Sequence, residues 1–198
     1  MDADFSVELG AEDPTLAIPW WSEDGCLRYY DLKSQPDLLL YIEEANHNQE
    51  LAEFLTQVNS VSSRLASAKC DTWFTTELNE EEAIYGAACK FGSYVDLVFA
   101  DEAARFSFEL HEDFARRLTK LLARAPQISA AAELIIRRCY YGIGNDAREG
   151  FYLSFYLFGY GDEEAEASKR WGIGLKLVGN AILQLSAQST AKADVSAE

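Results

Sequence analysis

The stretch that decides the fold is residues 150–161, GFYLSFYLFGYG. Successive side chains of a β-strand point to opposite faces of the sheet, so the stretch divides into two sets. One set is entirely apolar and predicts a face buried under helices: Phe151, Leu153, Phe155 and Leu157. The other set is mostly tyrosine, whose hydroxyls need water or partners: Tyr152, Ser154, Tyr156, Phe158 and Tyr160. The stretch therefore predicts a central strand with one dry side, rather than a single aromatic box around a ligand.

The segment just before it predicts an antiparallel neighbour. Residues 133–142, ELIIRRCYYG, have the composition of a strand, and residues 142–150 are predicted to be a hairpin turn in which glycine and asparagine supply positive φ angles. These glycines do not predict a phosphate-binding loop. The third glycine of the dinucleotide spacing is missing, and a strand follows where a helix is needed.

Apolar spacing and capping signals predict the remaining elements. Helices are predicted at residues 37–44, 50–65, 111–124 and 162–188. Strands are predicted at residues 70–78, 93–100 and 104–110, whereas residues 83–92 fit either a short helix or a strand. These elements predict an α+β fold, in which an antiparallel sheet of about five or six strands is packed by helices in the order αβββαββα.

The N-terminal residues are predicted to be accessory to this domain. Residues 1 to about 15 are polar and predict an arm, and residues 17–32 predict a hairpin because Asp24-Gly25 is a strong turn signal. The predicted organisation is an arm and accessory hairpin at residues 1–35, a single α+β domain at residues 36–188 and a disordered tail at residues 189–198.

The composition limits the partners of the chain. Its 198 residues are 48% hydrophobic and carry a formal net charge of −16, which indicates a globular protein that repels phosphate backbones and anionic membranes. We therefore expect no nucleic-acid partner and no membrane partner. The negative charge is explained either by binding to basic partners or by a requirement for solubility. Free cysteines, no zinc site and no cofactor are predicted, because the four cysteines and two histidines lack ligand spacing. The acidic N-terminus lacks a secretory pattern, so a cytoplasmic location is predicted.

Arg137 and Arg138 are a basic pair in an apolar context. Because adjacent strand residues point to opposite faces, one arginine belongs to each face of the sheet. A charge enters an apolar sheet only with a partner, and Asp96 and Glu109 are the predicted partners. A structural ion pair, or an arginine at the sheet rim, is the simpler interpretation. An anchor for an anionic ligand is the functional alternative.

A second candidate cluster lies where the strand predicted at residues 104–110 meets the next helix. Its members combine carboxylates with an imidazole: Glu109, His111, Glu112 and Asp113. Such groups can exchange protons near neutral pH, but acids also favour any helix N-terminus. No nucleophile is tied to the cluster and the spacing is not that of a metal-binding helix, so we expect a protein that is not an enzyme.

The last predicted helix is apolar on most of its sides. A helix of this kind is usually buried or shared with a partner chain, and we therefore expect a homodimer formed through it. Gly172 and Gly179 share one face of this helix, where the cost of glycine indicates close approach of another backbone. That backbone could be the sheet of the same chain or the helix of a second copy.

The element order over residues 36–188, together with the strong acidity, resembles the fold of type III secretion chaperones. That resemblance implies a homodimer that binds protein segments on its surface. The predicted function is therefore a non-enzymatic protein-binding module. The alternatives are a small-molecule-binding protein or enzyme with a pocket lined by arginine and tyrosine, and a structural protein without a small ligand.

Candidate binding residues follow from the tyrosine side of residues 150–161 and from the arginine pair. They are Arg137, Arg138, Tyr140, Tyr152, Tyr156, Tyr160 and Asp96. A second packed layer over the tyrosine face is the simpler expectation. An exposed apolar patch there would favour the binding module, whereas a closed pocket with an unpaired arginine would favour a small ligand.

Overall fold

The computed structural model of the chain describes residues 1–22, 24–143 and 146–195, and the side chains in these ranges except those of Ile143 and residues 189–195. The strands are β1 (Asp2–Glu8), β2 (Leu16–Ile18), β3 (Leu65–Thr75), β4 (Cys89–Phe99), β5 (Ala130–Ile143) and β6 (Asp146–Gly161). The α-helices are α1 (Glu43–His47), α2 (Gln49–Val58), α3 (Glu102–Arg105), α4 (Phe108–Leu122) and α5 (Glu164–Val195). Two 3-10 helices are Pro36–Tyr41 and Glu81–Tyr85.

The six strands form one sheet in the order β1-β5-β6-β4-β3, with β2 also paired to β5. Adjacent long strands pair antiparallel, β3 with β4, β4 with β6 and β6 with β5, whereas β1 and β2 run parallel to β5. The predicted α+β class, with a sheet of five or six strands packed by helices, is confirmed. The predicted hairpin between β5 and β6 is also present, but its turn is shorter than the predicted residues 142–150, because β5 continues to Ile143 and β6 begins at Asp146. Residues 144 and 145 lie outside the described residues.

The two faces of β6 differ as the alternation predicts. Leu153, Phe155 and Leu157 are fully buried in the main core, beneath α2, α4 and α5. We call this helix-covered side the inner face, and the side that carries Tyr152 and Tyr156 the outer face. Adjacent residues of one strand therefore enter two different environments, because a strand has a period of two.

The strand predicted at residues 104–110 is wrong. Asp101 accepts a hydrogen bond from the amide of Ala104 at 2.8 Å and starts α3, and Ser107 accepts one from the amide of Leu110 at 3.3 Å and starts α4. These caps satisfy amides that a helix end leaves free, so the alternating phenylalanines of this segment pack from helices instead. The order that supported the resemblance to secretion chaperones therefore lacks its third strand.

Local breaks also shorten the first predicted helices. A 3-10 helix and α1 replace the helix predicted at residues 37–44, and α2 ends at Val58 rather than near Leu65. Asn59 follows α2 and its side-chain amide bonds the Leu55 carbonyl at 2.8 Å and the Ser67 hydroxyl at 2.8 Å, which ties the helix end to β3. Val61, predicted on the apolar stripe, is 99% exposed.

The ambiguous residues 83–92 contain the end of one 3-10 helix and the start of β4. Gly86 has a φ angle of 59°, a value that glycine adopts without strain, and the chain turns there into the strand. Both structures considered for this segment thus occur, one after the other.

The predicted polar arm contains a strand of the main sheet. In β1, Ala3 and Phe5 contact the main core, whereas the alternate positions Asp2, Asp4 and Glu8 lie on the outer face. The prediction of an arm was wrong because Asp and Glu are uncommon in strands, so the alternation of apolar and acidic residues in β1 was not recognised as a strand pattern. The predicted turn after β2 is present, with an antiparallel bridge between Trp21 and Leu27.

Most apolar side chains of α5 are buried within the chain, although Ile173 is 40% exposed. On the face that Gly172 and Gly179 share, an added Cβ would meet side chains of α2: it would lie 2.7 Å from Glu50 at Gly172 and against Gln57 at Gly179. The neighbour on this face is therefore α2 of the same chain, which the prediction did not name, whereas the sheet lies against Gly174, where a Cβ would be 3.0 Å from Leu157. The helix continues to Val195, beyond the predicted end at residue 188; residues 196–198 of the predicted disordered tail lie outside the described residues.

Candidate functional site on the outer sheet face

The structure distributes the predicted site residues over both faces of the sheet. Asp96, Arg137, Tyr152, Tyr156 and Tyr160 lie on the outer face. The other two predicted residues lie on the side of the inner face, near the β5–β6 hairpin: Arg138 and Tyr140. The predicted separation of the two arginines is therefore confirmed, and only Arg137 adjoins the tyrosines.

Arg137 is 9% exposed and has four polar contacts. Its Nη2 lies 2.7 Å and its Nε 2.8 Å from Oε2 of Glu8, and its Nη1 donates to Ser154 at 3.0 Å and to the Tyr156 hydroxyl at 3.4 Å. Because an unpaired buried charge is costly, this set of acceptors accounts for an arginine within the sheet. The predicted direct pairing with Asp96 or Glu109 is wrong. The partner is Glu8, which the sequence analysis placed in the polar arm.

Asp96 connects to Arg137 through one hydroxyl group. Ser154 donates to Oδ1 of Asp96 at 2.6 Å and accepts from Arg137. Burial raises the pKa of Asp96 to about 6, against the lowering effects of Ser154, Lys69 and Arg137. Glu8, Arg137, Ser154 and Asp96 thus form a continuous polar chain across four strands.

Beside this polar chain lies a cluster of four rings, which we call the aromatic plate: Trp73, Tyr94, Tyr156 and Phe158. The ring centroids are 6.5 Å apart for Trp73–Tyr94, 5.9 Å for Tyr94–Tyr156 and 6.0 Å for Trp73–Phe158. Each ring is half-buried. A Cβ at Gly92 would lie 2.8 Å from Trp73, so glycine at this position lets the indole lie across β4. The plate therefore presents ring surface on an open sheet face.

Three of the four rings have a cation beside them. Lys69 lies 5.9 Å from the Tyr94 centroid, Lys90 lies 5.1 Å from that of Phe158, and Arg137 lies 5.9 Å from that of Tyr156. Lys90 pairs with Glu82 at 2.7 Å, as Arg137 pairs with Glu8. These cations consequently orient the rings, and two of them are already neutralised by carboxylates.

Two segments of the chain cover the outer face on either side of the plate. Toward the β5–β6 hairpin, residues of β2 and Tyr29 pack on a second apolar cluster that includes Tyr141 and Tyr152. Trp20 donates to the Ala68 carbonyl at 2.9 Å. The expected second layer is therefore present over this part of the face, and Tyr152 is buried beneath it.

At the opposite end, the 3-10 helix Glu81–Tyr85 covers Tyr160. The rings of Tyr85 and Tyr160 stack with centroids 4.0 Å apart. Tyr160 donates to Glu82 at 2.9 Å, and Tyr85 donates to Asp2 at 2.5 Å. The second layer thus ends on both sides of the aromatic plate and leaves the plate open between them.

The remaining predicted residues do not join the plate. Arg138 donates to the Gly10 carbonyl, and its Nε is buried without a hydrogen-bond partner in the described part of the chain. Tyr140 is exposed and lies 3.4 Å from a carboxylate oxygen of Glu149. Both residues therefore lie near the β5–β6 hairpin and not at the aromatic plate.

The acid and histidine cluster does not assemble. His111 is fully buried, with Nδ1 2.7 Å from the Ser107 carbonyl and its ring against Phe99, and burial lowers its pKa. Glu112 and Asp113 instead pair with arginines one turn later on α4. Within the described residues, no group of three or more His, Cys, Asp or Glu could hold a metal ion.

A separate cavity of about 210 Å³ lies between the N-terminal segment and the edge of β3. Its walls combine aromatic rings with charges of both signs: Trp20, Arg28, Tyr30, Tyr41, Glu43, Glu44 and Lys69. It is lined by arginine and tyrosine, as the small-molecule alternative requires, but by none of the arginines or tyrosines that the sequence predicted.

Sequence reasoning missed most of the plate. Trp73 and Tyr94 stood in predicted strands, but their faces could not be matched without the register between β3, β4 and β6. Glu8 and Lys90 were missed because the strand containing one was assigned to an arm and the segment containing the other was ambiguous. The sequence signal that could have found these residues is the alternation of side chains between the two faces of each strand.

Comparisons with protein families, curated proteins and solved structures find no match to this chain. Among the described residues, no helix combines the length and apolar character that crossing a membrane requires.

Proposed function

We propose that the protein is a non-enzymatic interaction module that binds a segment of another protein against the aromatic plate. The observation that carries this proposal is the uncovered ring surface between two segments that cover the rest of the outer face. Aromatic side chains dominate the energetics of protein interfaces, because each buries a large area at low entropic cost.

The edge of the sheet supports the same proposal. β3 contributes Trp73 and is the last strand of the sheet on that side. An edge strand offers main-chain groups to an incoming extended segment, whose alternate side chains then contact the face of the sheet. Side chains of the same chain already bond β3 at Leu65, Ser67 and Ala68. An extended partner would therefore bond to the part of β3 near Trp73 and place side chains on the plate.

Titration of selected peptides tests this function. Random linear peptides displayed on phage are panned against the wild-type chain, and selected peptides are then titrated into wild type, Trp73→Leu and Tyr41→Ala. We expect Trp73→Leu to weaken binding about tenfold, since anchor residues commonly contribute more than about 1.4 kcal/mol. Tyr41→Ala, an exposed tyrosine of the separate cavity, is the matched control and should not weaken it.

Indole NMR signals provide an independent reading of the same titration. The Trp73 signal should shift on binding, whereas that of Trp171, fully buried and bonded to Ser93 at 2.8 Å, should not. Failure to select any peptide whose binding depends on Trp73 would contradict the proposed function.

The cavity near β3 favours the second candidate, a small-molecule-binding protein. A thermal-shift screen of small aromatic acids and amines would support it if a hit lost its effect in Tyr41→Ala but kept it in Trp73→Leu. A hit that lost its effect in Trp73→Leu but kept it in Tyr41→Ala would instead indicate binding at the aromatic plate.

The homodimer predicted through α5 remains a separate proposal. Ile173 lies on this helix and is 40% exposed, and an exposed apolar side chain supports a contact with a second copy. The apolar character of α5 gives less support to a dimer than the sequence suggested, because Trp171, Leu175 and Val178 are fully buried within one chain. Light scattering at micromolar concentration decides it, since a monomer mass excludes the dimer. A cytoplasmic location also remains a prediction.

A further inference from the structure

An acidic groove lies directly beside the aromatic plate, between β1, β5 and the 3-10 helix Glu81–Tyr85. Its volume is about 540 Å³. It is lined by Asp2, Ala3, Asp4, Asn79, Glu81, Glu82, Ile84, Tyr85, Ala131, Ala132, Glu133, Phe158 and Tyr160. Phe158 belongs to both the groove and the plate, so the two surfaces are continuous.

The charges that line the groove have one sign. Five of the lining residues are Asp or Glu and none is Lys, Arg or His. Lys90 neutralises Glu82, but no ion pair within the described residues involves the other four: Asp2, Asp4, Glu81 and Glu133. Partial burial raises the pKa of Glu133, the nearby charges of Glu8 and Asp4 raise it further, and Arg137 lowers it. Glu133 is therefore repelled by neighbouring acids, and a bound cation would relieve that repulsion.

The rings of the groove are suited to the same charge. Tyr85, Tyr160 and Phe158 contribute aromatic surface, and the hydroxyls of both tyrosines already donate to carboxylates. Both oxygens of Glu82 already accept from Lys90 or the Asn79 amide, and Tyr160 is buried under Tyr85. The groups that suit a cation here are therefore the Asp2 carboxylate and the rings of Tyr85 and Phe158, since aromatic faces attract cations. A cationic side chain entering the groove would meet acceptors and rings together.

The sheet register aligns carboxylates with the plate itself. Tyr94 pairs with Asp71 on one side and Tyr156 on the other, Tyr156 pairs with Glu133, and Glu133 pairs with Asp4. One row across five strands thus has tyrosines in the middle and acids at both ends. A segment that leaves the edge of β3 and crosses the sheet along this row would place an apolar side chain on the rings and basic side chains beyond them.

We propose that the partner segment of the aromatic plate is basic, and that its lysine or arginine side chains occupy this acidic groove. The inference rests on the proposed interaction function and specifies the chemistry of the partner. The net charge of −16 favours association with a cationic partner. The acids are too dispersed to hold a metal ion in the described chain, which favours several spaced cations over one.

Binding of a designed peptide tests this inference. The probe is a short synthetic peptide in which lysine alternates with phenylalanine, and the matched peptides carry glutamate or glutamine in place of every lysine. They are titrated into the full chain by calorimetry at several salt concentrations. We expect the lysine peptide to bind most tightly and its affinity to fall with added salt, because exposed charge pairs are screened.

Matched charge variants separate the groove from general attraction. Glu81→Gln with Glu133→Gln should weaken the lysine peptide about tenfold, as two exposed ion pairs would predict. Glu12→Gln with Glu102→Gln removes the same charge from residues that do not line the groove and should leave binding unchanged.

Three results would overturn the inference: equal binding of the glutamate peptide, equal weakening by both double variants, or binding of spermine alone as tight as that of the peptide. Where phage-selected peptides depend on Trp73 but are unaffected by Glu81→Gln with Glu133→Gln, the interaction module stands and the basic partner does not. Where no peptide depends on Trp73, the proposed function itself fails.

Discussion

The two faces of one sheet differ in how they are completed. On the inner face, Leu153 and Phe155 are enclosed by helices of the same chain. On the outer face, the intervening Ser154 lies in a chain of polar contacts beside half-buried rings that keep part of their surface exposed. The inner face therefore stabilises the fold, whereas the outer face combines a costly polar network with partly exposed rings. Such a combination is typical of a region kept for binding.

Truncation of the inner face should have the largest effect on stability. Phe155→Ala removes a fully buried ring in contact with Phe54, and should lower the free energy of unfolding by about 3–5 kcal/mol. Phe158→Ala on the outer face is the matched control and should cost much less, because its ring is half-buried. Urea unfolding measures both, and equal losses would contradict the distinction between the faces.

The buried carboxyl of the outer face should give a pH dependence of opposite sign to that of an ordinary ion-paired acid. Since the pKa of Asp96 is raised from 3.8 to about 6, the folded state binds its proton more tightly than the unfolded state does. Its contribution therefore favours folding below pH 3.8 and is lost as the pH rises through about 6. The Asp96→Asn variant lacks this titration. As the pH rises from 3.8 to about 6, its free energy of unfolding should therefore increase by roughly 3 kcal/mol relative to that of wild type.

Urea unfolding of both proteins across that pH range provides the measurement. His111, whose pKa is lowered by burial, titrates in both proteins and so cancels in the difference. Parallel stability curves for wild type and Asp96→Asn would show that the buried polar chain imposes no such cost.

A smaller effect should follow from crowding the plate. Gly92→Ala places a Cβ where Trp73 lies at 2.8 Å, and should cost about 1–3 kcal/mol while displacing the indole. Gly142→Ala is the control, since its Cβ would lie 3.7 Å from the nearest atom. Near-ultraviolet circular dichroism and unfolding should change for the first variant only. An unchanged tryptophan signal in Gly92→Ala would mean that the glycine does not position the plate.

The limits of sequence-based prediction are clearest at particular residues. Alternation placed Arg137 and Arg138 on opposite faces, because it depends only on the geometry of one strand. Alternation also misled at residues 104–110, where capping side chains started helices. Glu8 was lost with the polar arm, since the parallel pairing of β1 with β5 spans most of the chain and leaves no local signal.

The α+β class, the dry and polar sides of β6 and the strong negative charge could be predicted from the residues, because composition and short-range periodicity express these properties directly. The folded chain was needed to show that Trp73, Tyr94, Tyr156 and Phe158 form one plate and that an acidic groove adjoins it. Those residues belong to three strands, and the register that aligns them is established by long-range backbone pairing rather than by any local pattern.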